Sequence, residues 1–448
     1  MYPRISRRRS FTLGAGALGA LAGAAALSSC GSGTSGGDGD AISLWNFFGP
    51  DPEGTEVSTW FETLAADWNE THDVQLELRY IPNQTYMDGT TLQTAFTSGE
   101  GPDLFVISPG DFLRFGNGGA LMDLSSHVSE ELRADFTSGN LEARSDGDAI
   151  YAIPFDAEPL AMFYSVEAFE DAGLSEGDIP ETWDQFLDIA DKLTDDTRFG
   201  ALVEPAPGYY QNFTWYPFVW QSGAAFFDDS GSPAFDTPGV HGALQLWQDL
   251  VSNGLSPRQA QGTGANEVNA NLGAGTVAMQ QSGIWGVAQM AQNAPDVEYG
   301  VFHLPIPEGG ERATDVGGWA MAANAEGKNP EAAAEFIMWA YGSSEPEQID
   351  RLLGWNAGAK SNLPTRQSVI DAADEQGAYS EGALQYFVEE VYPTGRPEPR
   401  FPPEVYKPIS DALQACMLDG EEPATAAARA QEQLESFMSG YNGLSIEY

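Results

Sequence analysis

The sequence predicts an α/β protein in which helices cover doubly wound sheets. Strand-like and helix-like patterns alternate from residue 41 onward, which is the order expected of helices packed on a largely parallel sheet. Residues 102–108 (PDLFVIS) form a short apolar run, as expected of a strand that is buried on both faces. About 410 residues follow the N-terminal tail, and this length predicts two domains.

The first predicted elements alternate between strand and helix. Residues 41–49 (AISLWNFFG) predict a strand that runs into an aromatic loop. Apolar residues recur every three or four positions over 57–68, which predicts an amphipathic helix. Residues 74–80 (VQLELRY) alternate strictly and predict a strand, whereas residues 92–99 predict a helix that ends at Gly99.

Two strands and several helices are predicted in the remainder of the chain. The strands cover residues 149–155 (AIYAIPF) and 160–165 (LAMFYS). Thr182 and Gln185 have the spacing of a capping box, which predicts a helix start. The other predicted helices start at residue 329 or cover residues 403–418 and 423–438.

Residues 1–29 have the layout of an export signal. Arginines at positions 7–9 precede an uncharged apolar run over 13–27, which is shorter than the roughly 20 residues of a membrane span. Residues 14–19 also match the dinucleotide fingerprint GxGxxG. No strand precedes them, so a nucleotide site is not expected.

Two further features of this segment predict how the chain is exported and held. Residues 6–11 (SRRRSF) resemble a twin-arginine signal, and residues 27–30 (LSSC) resemble a bacterial lipobox. We therefore expect cleavage before Cys30, a lipid on its thiol, and a flexible tether over 30–40. The protein would then be anchored, by lipid alone, to the outer face of the cytoplasmic membrane. Cys416 would have no disulfide partner, and its helical neighbours predict a core position.

The composition limits the possible partners. Acidic residues number 66 against 20 basic ones, a net charge of −46, so nucleic acid is not expected. The charge fits either a saline exterior or lineage bias, and the sequence does not separate them. The four histidines have no metal-ligand spacing, so neither a metal nor a cofactor is predicted.

Several stretches resemble the motifs of family-1 extracellular solute-binding proteins, the sugar-receptor components of ABC importers. The similarity extends from about residue 42 to residue 438. Its most specific part is residues 149–193, which combine a Tyr-x-x-Pro strand with a Pro-x-Thr-Trp-x-x-Phe helix. The other matching stretches are residues 95–108, 118–125, 273–287 and 315–340.

The resemblance implies two α/β lobes joined by hinge strands, with a ligand in the cleft between them. One lobe would comprise residues 41–156 and 316–365, and the other residues 157–315 and 366–448. Crossings are expected near 156–159, 316–318 and 362–373. It also implies a monomer that delivers its ligand to the permease subunits of an importer.

A sugar ligand calls for aromatic faces and for carboxylate or amide acceptors. The resemblance assigns a stacking role to Trp285. Phe47 and Phe48 follow the first strand, where α/β sheets bind ligands, and Trp319 with Gly318 lies at an expected crossing. The other aromatic candidates are Trp355 and Tyr406. We expect Trp45, Trp215 and Trp220 to lie in the core instead.

Three acidic residues are candidate ligand contacts. Glu158 stands where sugar-binding members of the family place a hydrogen-bonding carboxylate. Asp156 would leave the same face of an extended chain, and Asp111 follows the predicted strand over 102–108. Each of them could be solvated instead. Asp103 opens that strand, so we expect a structural role for it.

Other functions remain open on the sequence. A polyol or an organic cation such as a polyamine or betaine could replace the sugar, whereas an anion is disfavoured by the four lysines. A secreted glycoside hydrolase would need two carboxylates on either side of one bond. Asp156 and Glu158 are neighbours on one strand, so no enzymatic activity is expected. Besides a solute receptor and a hydrolase, the third possible class of protein is a structural surface protein.

Overall fold

The computed structural model describes residues 4–5 and 41–446. The export signal, the lipobox and the tether lie outside the described residues except for Arg4 and Ile5, so their interpretation stays a prediction. The strands are β1 (Arg4–Ile5), β2 (Ala41–Asn46), β3 (Gln75–Tyr80), β4 (Leu104–Ile107), β5 (Ser145–Asp146), β6 (Ala149–Ile150), β7 (Ala152–Pro154), β8 (Glu158–Ser165), β9 (Phe199–Leu202), β10 (Val277–Gly283), β11 (Tyr299–Phe302), β12 (Thr314–Gly317), β13 (Ala320–Ala323) and β14 (Gly395–Pro397).

Helices connect most of these strands, often at the predicted positions. They are α1 (Glu56–Thr71), α2 (Asn83–Asp88), α3 (Thr90–Ser98), α4 (Pro109–Gly116), α5 (Glu130–Asp135), α6 (Val166–Asp171), α7 (Trp183–Leu193), α8 (Tyr209–Gln221), α9 (Pro238–Ser252), α10 (Val268–Asn271), α11 (Gly286–Asn293), α12 (Pro330–Ile337), α13 (Pro346–Leu353), α14 (Gln367–Gln376), α15 (Gly382–Tyr386), α16 (Pro403–Asp419) and α17 (Pro423–Met438).

Two mixed sheets form the framework. The five-stranded sheet has the order β3-β2-β4-β13-β7, in which β2 is parallel to β3 and β4, and β13 is antiparallel to its neighbours. The seven-stranded sheet has the order β1-β11-β8-β10-β9, with β12 joining β8 to β14. Strands β4, β8 and β10 are buried along their whole length, and β4 shows the continuous apolar character expected of such a strand.

Local sequence signals account for several element boundaries. Thr182 and Gln185 form the predicted capping box at the start of α7. Gly99 ends α3 in a left-handed conformation with φ of 73°. The strand predicted over 149–155 is divided, because β6 pairs with β5 while β7 enters the five-stranded sheet.

The chain passes between the two sheets through adjacent extended segments. It leaves β7 for β8 and later returns from β12 to β13. Ala157 and Leu363 exchange backbone hydrogen bonds of 2.8 and 3.0 Å, so a third segment lies beside the first. Helix α14 then packs on α13. These contacts describe a hinge, and the predicted lobe boundaries at 156, 315 and 365 stay a prediction.

Glycine is required at position 318, in the segment that leads from β12 to β13. Its φ of +128° belongs to the region that side chains avoid, and a Cβ there would lie 2.2 Å from the carbonyl oxygen of Asp156. Arg144 donates a hydrogen bond of 2.6 Å to the Gly318 carbonyl. The two segments can approach this closely only because residue 318 is glycine.

The predicted structural residues occupy the core. Trp45, Trp215, Trp220 and Cys416 are all buried. Asp103 accepts hydrogen bonds from the Ser43 and Lys328 backbone N–H groups, at 2.9 and 2.7 Å, and so ties the strand to two neighbouring segments. Among the described helices, none is both long and apolar enough to cross a membrane.

Candidate functional site

A cleft of about 690 Å³ lies between the two sheets. One wall follows the ends of β2 and β4 and includes α2, and the other follows β9 and β10 and includes the first turns of α8 and α11. The carboxyl ends of sheet strands are where α/β folds place their ligand sites. The described cleft therefore has the position expected of a binding site.

Trp285 stands on the wall formed by the seven-stranded sheet. The residue follows β10 directly and is half-buried, and its indole N–H donates a hydrogen bond of 3.0 Å to the Asn266 carbonyl. A Cβ on Gly283 would lie 1.8 Å from the Trp285 ring, so the ring lies close against the backbone there. The centroid of the Tyr210 ring is 6.3 Å away. This rigid aromatic surface faces the cleft, as predicted for Trp285.

The opposite wall carries a second aromatic group. Phe47 lies 4.7 Å from Trp319 and 4.1 Å from Phe48, measured between ring centroids. All three line the cleft together with Gly318. Phe48 is the most buried of them because its ring also stacks on Phe61. The cleft thus has an aromatic surface on each side.

The carboxylates of Glu158 and Asp156 both contact the Asn362 amide and the Lys360 ammonium. Asn362 Nδ2 donates to both carboxylates at 2.9 Å, and the Lys360 ammonium pairs with Glu158 and lies 3.6 Å from Asp156. The prediction that both acids leave one face of the chain is confirmed. Glu158 lines the cleft.

Asp156 does not line the described cleft, so its role as a ligand contact stays a prediction. Its carboxylate is fully buried and accepts hydrogen bonds from the Trp319 backbone N–H at 2.5 Å and from the Trp355 indole N–H at 3.2 Å. These donors, with Asn362, come from the two other segments of the hinge. Asp156 therefore joins the three hinge segments to one another.

Lys360 is one of the cleft residues that the sequence did not single out. It lines the cleft with its ammonium 4.8 Å from the centre of the Phe48 ring. Burial raises the pKa of Glu158, and the Lys360 ammonium opposes this rise. A single lysine in a polar loop has no pattern that would single it out in the sequence.

Two other predicted ligand contacts lie outside the cleft lining. Asp111 is buried at the start of α4, 3.4 Å from Arg114, and burial raises its pKa. Trp355 is fully buried, 4.9 Å from Phe48 and Trp60 between ring centroids. Both side chains point into the packing behind the walls, so their roles as ligand contacts stay predictions that the cleft lining does not support.

Tyr406, another candidate ligand contact, belongs to the cleft lining. It comes from α16, and its hydroxyl hydrogen-bonds to Arg114 of α4. Across the mouth, Gln292 Nε2 donates a hydrogen bond of 3.3 Å to Glu56 Oε2. Helices packed on different sheets therefore touch on both sides of the cleft.

Amide side chains supply most of the remaining polar lining. The sequence reading missed them because the amides of α11 look like a solvated helix face. Their position immediately after Trp285 was the signal that could have identified them. The amide residues that line the cleft are Asn83, Gln84, Gln211, Asn266, Gln289, Gln292 and Asn293.

Two further acids, Glu204 and Glu398, are buried in the cleft walls. Glu204 accepts from the backbone N–H groups of Ala206 and Ala265, at 2.8 and 2.9 Å, and burial raises its pKa. Glu398 Oε1 accepts from the Tyr209 hydroxyl at 2.6 Å, and burial raises its pKa to about 8. Within the described residues, no group of three or more His, Cys, Asp or Glu side chains could hold a metal ion.

Comparison with known proteins identifies the family. Residues 51–345 match the bacterial extracellular solute-binding proteins. The chain belongs to this family. This membership confirms the resemblance noted in the sequence and gives the protein an extracellular binding role.

Individual relatives agree with this assignment. The chain is 27% identical to the arabinooligosaccharide-binding protein of Halalkalibacterium halodurans over 69% of its own length and 72% of that protein. It is 22% identical to the galactooligosaccharide-binding protein of Bacillus subtilis, over 85% and 87% of the two chains. A solute-binding protein of an ABC transporter from Thermotoga lettingae, solved with α-D-tagatose, superimposes with a TM-score of 0.77. It is 23% identical, and the match covers 89% of this chain and all of that one. The predicted two-lobed α/β fold is confirmed.

Proposed function

We propose that this family member captures a neutral sugar or a short oligosaccharide in the cleft and delivers it to the permease of an ABC importer. The observation that carries the proposal is the pair of aromatic surfaces, Trp285 on one wall and Phe47 with Trp319 on the other. Aromatic rings pack on the C–H faces of a sugar, and the amides between them suit its hydroxyls. The two relatives named for binding oligosaccharides support the same class of ligand.

The arrangement of the acids favours a neutral ligand over an organic cation. Four acidic side chains line the described cleft. Glu204 and Glu398 already accept protein hydrogen bonds, and Lys360 neutralises Glu158. Asp88 is exposed and accepts from Thr90 at 2.8 Å. A polyamine or betaine would have to compete with these partners, whereas a sugar would not.

A thermal-shift screen tests the ligand class. Mono- and oligosaccharides, polyols, a polyamine and betaine are each added to the folded protein, and the unfolding midpoint is measured. We expect the largest rise with a saccharide, and we expect that saccharide to be recovered unhydrolysed. If only the cationic compounds raised the midpoint, the proposed ligand would be an organic cation and not a sugar. Release of shorter saccharides would favour a hydrolase.

The variant Glu158→Gln tests whether the ligand is neutral or cationic. The amide keeps the size of the side chain but removes the charged acceptor, and hydrogen bonds to such acceptors contribute about 1.5–3 kcal/mol. We expect calorimetry to show about tenfold weaker binding of a neutral sugar, and a considerably larger loss for a cation. Binding within twofold of wild type would show that Glu158 does not contribute to the site.

We also propose that Cys30 anchors the protein to the membrane after twin-arginine export, as a monomer with the predicted lobe division. The supporting observation is the match of residues 27–30 to a lipobox. Wild type is expected to fractionate with membranes and to carry a lipid on Cys30, and Cys30→Ala is expected to prevent anchoring. Mass spectrometry of the mature protein checks this, and an unmodified Cys30 would contradict it.

A further inference from the structure

Two carboxyl groups are buried at the neighbouring strands β12 and β14, beside the cleft wall to which Glu398 belongs. Asp315 lies on β12, and Glu398 directly follows β14, the parallel neighbour of β12. Both residues are buried, with exposures of 0% and 1%. Within the part of the chain that the structure describes, Asp315 accepts no hydrogen bond of good geometry; its only contact of this kind is with the Val316 N–H. Such a pair cannot readily carry two negative charges.

Glu398 connects elements of both sheets. Its Oε1 accepts from the Gly110 backbone N–H of α4 at 3.1 Å and from the Tyr209 hydroxyl of α8 at 2.6 Å. Helix α4 follows a strand of the five-stranded sheet, and α8 follows a strand of the seven-stranded sheet. A Cβ on Gly110 would lie 2.5 Å from Glu398 Oε1, so glycine is needed for this approach. One carboxyl group therefore holds the two walls together where they meet.

Charged and titratable groups surround this pair on every side. Arg144 and Asp111 act in opposite directions on Glu398, and Asp111 is paired with Arg114. The tyrosines facing the pair are supplied by α8 and α16. The titratable and charged groups around Glu398 and Asp315 are Asp111, Arg114, Arg144, Tyr209, Tyr216, Arg400 and Tyr406.

We propose that Glu398 is a positioning residue for ligand capture, and that holding its buried carboxyl group neutral allows α4 and α8 to stay together around the ligand. The inference rests on the proposed function, since it assumes that closing of the two walls accompanies binding. Glu398 acts through the Tyr209 hydroxyl, which belongs to the cleft lining, and through the Gly110 backbone N–H of α4, and need not touch the ligand.

The direction of the pH effect follows from burial. The pKa of Glu398 in the folded protein is about 8, raised by desolvation, and its ordinary value in the unfolded chain is 4.5. Between these values the folded state binds a proton that the unfolded state has lost. The contribution of Glu398 to stability therefore falls as pH rises from about 4.5 to about 8 and is constant above.

The first experiment needs no ligand. Unfolding midpoints of the wild type and Glu398→Gln are compared from pH 5 to pH 9.5. The variant is expected to gain stability relative to wild type up to pH 8, after which the difference levels off. Asp88→Asn, which removes an exposed acid of the same cleft, should show a constant difference. Parallel curves for wild type and Glu398→Gln would overturn the inference.

Tyr209→Phe provides a second variant if Glu398→Gln does not fold. The hydroxyl of Tyr209 favours the ionised form of Glu398 and lowers its pKa. Its removal is expected to move the end of the pH-dependent range above pH 8. A purely structural role for Tyr209 would lower the midpoints equally at every pH, and this result would count against the inference.

The second experiment measures coupling to capture. The ligand found by the screen is used to measure wild-type affinity from pH 6 to pH 8.5, and this affinity is expected to fall as pH rises. The fall should be about tenfold for each pH unit by which the pKa of Glu398 is lower in the open protein than in the closed one. Glu398→Gln should bind within twofold over this range. A wild-type affinity that varies less than twofold would overturn the coupling but leave the proposed function intact. If no solute bound, the proposed function would fail. The unfolding midpoints measured without ligand would still test whether Glu398 holds a proton in the folded protein.

Discussion

Trp285→Ala is expected to weaken sugar binding between thirtyfold and several-hundredfold. An aromatic contact contributes about 0.5–1.5 kcal/mol beyond burial, and truncation also removes the apolar area that the indole covers. The two losses together amount to roughly 2–4 kcal/mol of binding free energy, at about 1.4 kcal/mol per tenfold. The measurement is calorimetry with the saccharide identified by the screen.

A matched substitution separates loss of the stack from loss of stability. Trp339 is half-buried, lies outside the cleft lining and packs under Arg351. Trp339→Ala should affect the free energy of unfolding but leave the affinity of the folded protein unchanged. Gly283→Ala should instead displace the Trp285 ring, since a Cβ there overlaps it. If Trp285→Ala stays folded and binds within twofold of wild type, the indole is part of the scaffold.

Asp156→Ala is expected to lower the free energy of unfolding by about 3–5 kcal/mol, the range for breaking a buried ion pair. The substitution removes an acceptor shared by the Trp319 N–H, the Trp355 indole and Asn362, and it leaves these donors buried. Denaturant unfolding of the protein without ligand measures the change.

The conservative variant shows which property of Asp156 matters. Asp156→Asn keeps the shape and one carbonyl acceptor, so its loss should be smaller than that of the alanine variant. Equal losses would mean that the charge next to Lys360, and not the hydrogen bonds across the hinge, provides the stabilisation. A loss below 1 kcal/mol for Asp156→Ala would contradict the proposed role in the hinge.

The sequence predicts well those parts of the structure that depend on local pattern. Periodicity and capping residues located α1, α7 and the buried strands, and the segment after each strand correctly suggested where the cleft walls lie. Phe47 could be proposed as a cleft residue for this reason, whereas Trp285 and Trp319 are implied by the family resemblance, which places a stacking tryptophan at 285 and a crossing at 316–318. Each lies next to a strand end or a glycine, so its position follows from its own neighbours in the chain.

The candidates that lie outside the cleft lining are side chains whose direction depends on distant segments. Asp111 turns towards Arg114, and Trp355 turns into a cluster with Trp60 and Phe61, which no local spacing indicates. Lys360 reaches the cleft because it pairs with Glu158, about two hundred residues earlier in the chain. Long-range packing therefore determines which candidates reach the ligand.

The order of strands has a consequence for how the protein is made. Strand β13 lies between β4 and β7, yet the ribosome adds it after every strand of the seven-stranded sheet except β14. The five-stranded sheet cannot be completed until β13 is synthesised. Before then β4 can pair with β2, whereas β7 has β13 as its only partner among the described strands. Such non-local pairing slows folding and leaves strand edges exposed in the nascent chain. The five-stranded sheet can therefore not be produced as one contiguous fragment that omits the seven-stranded sheet, and a chaperone that shields β4 until β13 emerges would benefit the yield.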